Sequence, residues 1–552
     1  MKKIISNIVV VGAFFLVCFL LLFRTFYGTP FTDEVGYIVE VKRMFEGNRY
    51  ILDDWAPYQG IFVFLIPLYY IWVNLFSEIG VILFFRIIFI LFQIIVCLCS
   101  LLVIYRTKLP RELLIMPIMV LIFVPWQISQ FSYNSIFLQL VELIYLLSCG
   151  KMSKLKVVLI AILSFIALAC IPFFIFALPI LFMGNKLYED HSNLIIFIIV
   201  EICISLIYFG PVFISGGIEN AIISFRGILN DADHEIGFFD KIVIFTKAFL
   251  NNNHIIGILF WILIIVSLLS VYYTKNIKTY KKLRCVCLIA AAILFLLNLF
   301  LFFTSNSNLT IGYYAMTFTH NICVSLALLG MVGFTGEKRR LKDWIDFIFF
   351  LMLSFCVNLA SNTGTQSVAW SLILFDAWSL SFLLNNNYEL DNYRTKGDSK
   401  ANRTCYYNYG CVLLVFLIFF ITRIICMPNE GVISSCDSVV KEGPYKGLHV
   451  SQNNYNEYLE YLKKVRKFDA NESEPVLLTS TEPLFCLCKD SILLSNYAIY
   501  FNSLDKDKLY DFIEIHDDRF PKTAIVFSDE EGLADWCKNA FDEINVIYWR
   551  EY

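Results

Sequence analysis

Between residues 28 and 57 the chain reads GTPFTDEVGYIVEVKRMFEGNRYILDDWAP, and this stretch holds two adjacent acidic pairs, Asp33-Glu34 and Asp53-Asp54, together with Lys42 and Arg43. Strongly apolar sequence flanks it on both sides. Carboxylates beside a hydrocarbon layer are costly unless they are solvated or used. A positioned carboxylate can take a proton from a hydroxyl as that oxygen attacks an electrophile. The same residues have a purely structural reading. Thr32-Asp33-Glu34 is a helix-capping sequence, and Val35 to Phe45 follows with helical spacing. Lys42 and Arg43 fall in the last turn of that helix, where cations suit its dipole, and Gly47 is a natural stop. Asp53-Asp54 reads either as a sugar or cation contact or as a solvated loop pair.

What positions these residues is a membrane domain. The chain has 552 residues, 58% of them hydrophobic, 17% aromatic and 16% charged, with a mean hydropathy of +0.67. Soluble domains carry about 25% charged residues. Apolar segments fall at 5–25, 60–78, 81–105, 112–127, 134–149, 156–183, 193–214, 255–273, 285–304, 313–334, 344–360, 368–385 and 410–426. This is the pattern of a polytopic α-helical membrane protein. Basic clusters at 106–111, 151–156, 275–284, 338–342 and 394–403 set the inner loops, with Lys2 and Lys3 inside as well. Keeping all of them inside forbids 60–78 from crossing and makes 156–183 a hairpin broken at Pro172. The expectation is 13 crossings, with long outer loops at 26–80 and 215–254. Residues 1–426 then form the membrane domain and 427–552 an outer-face α/β domain. In that tail, strands are expected at 476–480, 498–501, 523–527 and 544–549, and helices at 453–468, 505–516 and 530–539.

A first span followed on the outer face by Asp33, Glu34, Tyr37 and a helix closing at Gly47, then Pro67-Leu68-Tyr69-Tyr70 and Arg86 opening the next span, resembles the polyprenyl-phosphate-sugar-dependent membrane glycosyltransferases. This is the GT-C superfamily that includes the protein O-mannosyltransferases and the lipid A aminoarabinose transferase. Trp55-Ala56-Pro57-Tyr58-Gln59 stands where such proteins often carry a basic residue before a Pro-Pro-Leu stretch.

The resemblance implies an inverting transfer of sugar from a polyprenyl-phosphate donor to an acceptor hydroxyl on a glycan, lipid or protein, at the outer face of a bacterial plasma membrane. Asp33 is then the base, with Glu34 contacting acceptor or orienting the loop. Lys42, Arg43, Arg86, Arg226 and Arg423 are the cations available to the leaving phosphate, and snorkelling to lipid headgroups is their ordinary alternative. Tyr37, Asp53, Asp54, Trp55, Gln59, Asn134, Asp233, His234 and Tyr313 are pocket candidates. Ser132-Tyr133-Asn134 and Gly312-Tyr313-Tyr314 read equally as interfacial anchors.

Asp231-Ala232-Asp233-His234 is a weak divalent-metal pattern. The resembled enzymes share no required metal, so no cofactor is expected. Cys486-Leu487-Cys488 is too tight for a zinc pair. No nucleic-acid footprint appears. The competing class is a transporter or flippase of a lipid-linked saccharide, for which Glu142 and Glu201 are the mid-span ionisable residues.

Overall fold

The computed structural model describes residues 2–55, 59–184, 190–229, 237–250, 254–274, 277–305, 311–336, 338–361, 363–381, 413–427, 429–469, 476–478, 483–488, 515, 523–526 and 545–549. The chain folds as a helical membrane protein. Among the described residues six helices are long and apolar enough to cross a bilayer, and five shorter apolar helices accompany them.

In chain order, α1 (Lys2–Arg24) is followed by α2 (Thr32–Phe45), a 3-10 turn (Gln59–Leu65), α3 (Ile66–Phe76) and α4 (Val81–Thr107). Then come α5 (Ile115–Ile122), α6 (Tyr133–Ser148), α7 (Lys154–Cys170), α8 (Leu178–Gly184) and α9 (His191–Leu229). After these run α10 (Phe238–Ala248), α11 (His254–Tyr273), α12 (Ile277–Ser305), α13 (Ile311–Thr335), α14 (Leu341–Ala360) and α15 (Thr365–Ser371). The last helices before the tail are α16 (373–381) and α17 (Leu413–Ile425).

Residues 60–78 do not make one long helix. The eleven residues of α3, which follow the 3-10 turn, reach about 16 Å as α-helix, half a bilayer, and Tyr69 is buried with its ring against Phe45 of α2. The apolar run 156–183 breaks at Ile171, whose extended backbone precedes Pro172, as the pyrrolidine ring requires.

The second expected outer loop is more helical than its composition suggests. The helix begun at His191 continues to Leu229, with Pro211 inside and a kink at Gly217 (φ +74°, ψ 172°). Only glycine adopts that backbone freely, so the bend is local and the arm beyond it folds over the first loop.

The tail contains α18 (Gln452–Asp469) and α19 (Pro483–Cys488). Short hairpin pairs join β1 (Cys426–Met427) to β2 (Gly431–Val432) and β3 (Ser438–Val439) to β4 (His449–Val450). A parallel sheet joins β5 (Val476–Leu478), β6 (Thr523–Val526) and β7 (Asn545–Tyr548), in the order β5-β6-β7. These strands and α18 stand where the sequence sets them. The expected elements at 498–501, 505–516 and 530–539 lie outside the described residues, apart from the single residue 515.

The tail packs directly on the first loop. Gly28 N–H donates to His449 O at 2.8 Å, His449 N–H donates to Phe26 O at 2.7 Å, and the Tyr27 and His449 rings stack at 4.7 Å. Glu430 accepts from the Thr29 hydroxyl and, at 3.2 Å each, from the backbone N–H groups of Thr29 and Ser451. Gly80 N–H donates to Gly443 O at 3.1 Å. A hydrogen-bonded clamp of this kind fixes both ends of the first loop.

Candidate active site

The helix carrying the acidic pair starts one residue earlier than its capping pattern predicts. Thr32 is its first residue, and Phe31 stands at the cap position. Phe31 has no side-chain acceptor of its own. Glu34 supplies one by reaching back, its Oε2 accepting from Phe31 N–H at 3.3 Å. The helix ends as expected, with Gly47 at φ +109°.

Glu34 and Arg86 are both about 2% exposed. Arg86 Nε and Nη2 donate to the two carboxylate oxygens at 2.5 and 3.0 Å, and Nη1 faces the carbonyls of Thr25, Tyr27 and Gly28 at 3.0–3.3 Å. The bidentate fork is the geometry that guanidinium and carboxylate favour. Arg86 therefore anchors the loop to α4, and its donors point at Glu34 and the loop backbone. Glu34 is the orienting member of the pair.

Lys42 is similarly committed. Its Nζ lies 2.7 Å from Glu78 Oε1 and 3.8 Å from Glu46 Oε1, and it donates to Leu487 O on α19 at 3.2 Å. Burial opposes its charge, but Glu78 and Glu46 outweigh that, and its pKa is raised. Arg43 Nη1 contacts Asp54 Oδ2 at 2.7 Å and Glu40 Oε1 at 3.6 Å. Two buried carboxyls then share one cation. Desolvation, followed by the Asp54 charge, raises the Glu40 pKa well above its ordinary value, against the opposing pull of Arg43. Sequence reading missed Glu40. The signal for it was a carboxylate two turns after Asp33, among the apolar positions of α2.

Asp53 is fully buried. Its Oδ1 accepts from Arg49 Nε and Nη2 at 3.0 and 2.7 Å, and its Oδ2 accepts from Arg49 N–H at 2.7 Å. The pair Asp53-Asp54 therefore closes the loop from within and is not a solvated pair. Trp55 is buried as well, seated against the distal arm of α9. A Cβ on Gly227 would stand 2.3 Å from Trp55 Cε3. Gly227→Ala is expected to lower the thermal unfolding midpoint. Overpacking a rigid indole costs about 1–3 kcal/mol, against roughly 1 kcal/mol gained in helix propensity.

Asp33 differs from all of these. It is solvent-exposed and, among the described residues, makes no hydrogen bond or ion pair. Protein rings it on its other sides, and this desolvation raises its pKa. Its charge is felt by the phenol of Tyr133, the first residue of α6. Tyr133 meets Tyr37 edge-on at 6.1 Å, and Tyr37 stacks on Phe62 at 5.1 Å. Tyr37 follows Asp33 by four residues, one helical turn. Asn134, 3% exposed, has an Oδ1 without a hydrogen-bond partner among the described residues. A carboxylate bordered by aromatic rings and an amide can bind a hydroxylated ring and take a proton from a hydroxyl beside it.

Arg423, on α17, donates through Nη1 to Leu121 O and through Nη2 to Gln93 Oε1 at 2.7 Å. It lines a recess with Phe123, Gln127, Thr319 and Phe419. Trp126 and Gln127 there both have positive φ, 58° and 56°. Two successive non-glycine residues in that region carry strain of about 1–3 kcal/mol each, a common mark of functional turns. A polar chain links this recess to the first loop: Arg24 Nε donates to Arg423 O, Arg24 Nη1 donates to Tyr27 O, and Arg86 also donates to Tyr27 O. Arg226 is exposed on the arm of α9, with no hydrogen bond or ion pair among the described residues.

Gln59 opens the 3-10 turn and Tyr313 lies in α13, but their side chains are outside the described residues, as are Asp231, Asp233 and His234 entirely. No protein-family model matches this chain, and no curated protein sequence does.

Proposed function

We propose that the chain is an inverting glycosyltransferase that moves a sugar from a polyprenyl-phosphate donor to an acceptor hydroxyl at the outer face of the membrane. One observation carries this reading. Between residues 32 and 54, Glu34, Glu40, Lys42, Arg43, Glu46, Arg49, Asp53 and Asp54 all take part in ion pairs, and Asp33 does not. A free, solvent-reachable carboxylate on a rigidly held helix is what a general base requires.

In this mechanism Asp33 takes the acceptor's proton as the acceptor oxygen bonds to the anomeric carbon. The bond from that carbon to the phosphate oxygen breaks, and its electron pair leaves with the lipid phosphate. One displacement inverts the anomeric centre. Tyr133 supplies an apolar face for the sugar ring, backed by the buried rings of Tyr37 and Phe62. Arg423, with Gln127 beside it, serves the leaving phosphate, and Arg226 is the second cation. Thirteen crossings, an inside N-terminus and an outer α/β tail complete the reading. The contacts between residues 26–30 and 429–454 support an arrangement with both on one side of the membrane.

The test is incubation of purified protein with a polyprenyl-phosphate sugar and acceptor. A covalent product of inverted anomeric configuration, with release of polyprenyl phosphate, is the expected result. Movement of the lipid-linked sugar across a vesicle bilayer with no covalent product overturns it. That outcome establishes the flippase reading, which has on its side the buried carboxyl groups of Glu142 and Asp376.

The pH dependence follows from burial. Protonated Asp33 is the form the fold favours, so the stability it contributes is full below the unfolded-chain pKa and is lost as pH rises through the folded value. Catalysis needs the ionised form. The acid limb of kcat/KM should therefore have its midpoint above the ordinary Asp range of about 3.9. A pH–rate profile with no acid limb, or with one unchanged in Asp33→Asn, contradicts the assignment.

A further inference from the structure

The far arm of α9 and the whole of α10 carry a surface that neither the helix bundle nor water accounts for. Up to its kink at Gly217, α9 reaches about 39 Å as helix, more than the ~30 Å hydrocarbon core, so the arm lies past the span. Each residue turns a helix by about 100°, and the side chains of the arm fall into three sectors. Ala221, Ser224 and Gly227 are buried, Ala221 in the cluster around Leu52 and Gly227 against Trp55. Ile218 and Ile222 point away from the first loop, 69% and 53% exposed. Glu219 and Arg226, both exposed, stand on the edge between these two faces.

α10 repeats the pattern. Lys241 and Phe245 hold it to the protein. The Lys241 ammonium donates to Ser361 O, Asn358 Nδ2 donates to Lys241 O at 2.8 Å, and the Phe245 ring meets that of Phe355 at 5.3 Å. Phe238, Phe239, Ile242 and Val243 share a second face and are exposed, Phe239 by 81%. Asp240 and Lys247, two turns apart on one line of the helix, are exposed on the edge beside it.

A helix that crosses a bilayer is apolar wherever it meets lipid, and a helix in water exposes few large apolar side chains in a row. Protein, apolar surface and a charged edge in turn are what a helix meets when its axis lies in the lipid–water interface. The depth agrees. Asn358 and Ser361 stand at the C-terminal end of α14, itself long and apolar enough to cross. α10 is therefore tied to the end of a span, and its eleven residues reach about 16 Å, too short to cross. A protein partner would have to match two separate helices and both charged edges. A leaflet offers acyl chains and headgroups side by side at that depth.

We propose that residues 218–228 and 238–248 form an interfacial collar that beds Ile218, Ile222, Phe239 and Val243 among the acyl chains of the phospholipid leaflet, with the charged edges at headgroup level. The lipid contact does not rest on the glycosyltransferase reading, although its consequence for the site does. The arm covers Leu52 and Trp55, so bedding its other face in lipid holds the first loop, and Asp33 with it, at the depth of a lipid-borne phosphate.

The test uses the full chain in nanodiscs of phosphatidylcholine and phosphatidylglycerol. The photoreactive amino acid benzoylphenylalanine is placed at Phe239, at Ile222 or, for reference, at Glu460 on the exposed side of α18. After irradiation, a mass gain of one phospholipid is expected at Phe239 and Ile222, and none at Glu460. Val243 and Ile218 occupy the same sectors and replace either position where the first variant does not fold. The collar is overturned by absence of phospholipid adducts at these positions, or by adducts equally abundant at Glu460. It is also overturned by a crosslink to a second copy of the chain, which makes the face an oligomer contact. An adduct formed only with added polyprenyl phosphate gives the face to the carrier's tail and overturns it as well. Because the readout is lipid contact, missing adducts with sugar transfer intact remove the collar alone, and adducts without transfer remove the transferase reading alone.

Discussion

Asp33→Asn is expected to lower the rate of sugar transfer by ~10²–10⁴-fold, the range general-base catalysis supplies, with the thermal midpoint unchanged or slightly raised. Both halves follow from the same geometry. The carboxylate makes no hydrogen bond or ion pair among the described residues and faces solvent, so the amide breaks nothing. Its pKa is raised by desolvation, so a neutral replacement relieves a small cost. Donor affinity should persist, because the groups assigned to the phosphate are elsewhere. Measured kcat within a few-fold of wild type sinks the assignment. A large fall in the midpoint shows instead that Asp33 is a structural cap.

Arg86→Met is expected to do the opposite, costing about 3–5 kcal/mol of stability, the range for breaking a buried pair by removing one partner. Glu34 would be left without its cation at 2% exposure, and the Thr25, Tyr27 and Gly28 carbonyls would lose their shared donor. Removing both charges with Glu34→Gln and Arg86→Met should recover part of the loss, since the orphaned carboxylate is then gone. Thermal unfolding of the three variants closes the cycle. If Arg86→Met is as stable as wild type and only donor affinity falls, Arg86 serves the lipid phosphate and is not the anchor of the first loop.

These paired outcomes rest on two adjacent acids that local sequence cannot tell apart. Asp33 and Glu34 are both acidic and both stand in the first turn of α2. A helix turns about 100° per residue, so one step moves the side chain from solvent to α4. Which acid meets a cation depends on Arg86, 52 residues beyond Glu34, and that pairing exists only after α4 packs.

The same limit applies to Lys42, whose partners are Glu78 on the far side of α3 and Leu487 in the tail, 445 residues on. It applies again to Asp53 and Asp54, which composition places in water and the fold turns inward. Glu40 was hidden for a related reason, because its place beside Asp54 exists only once the loop closes on α2.

Much else was set locally. Apolar runs of bilayer length, the break at Pro172, the helix stop at Gly47 and the strands at 476–478, 523–526 and 545–548 are consequences of side-chain hydrophobicity and backbone sterics. These act over a few residues and can be read from a few residues. The sequence by itself therefore determined a helical membrane protein with an acidic stretch after its first helix. Only the tertiary structure decided which charge in that stretch is left unpaired, because ion pairing in a buried platform is a property of distances between segments far apart in the chain.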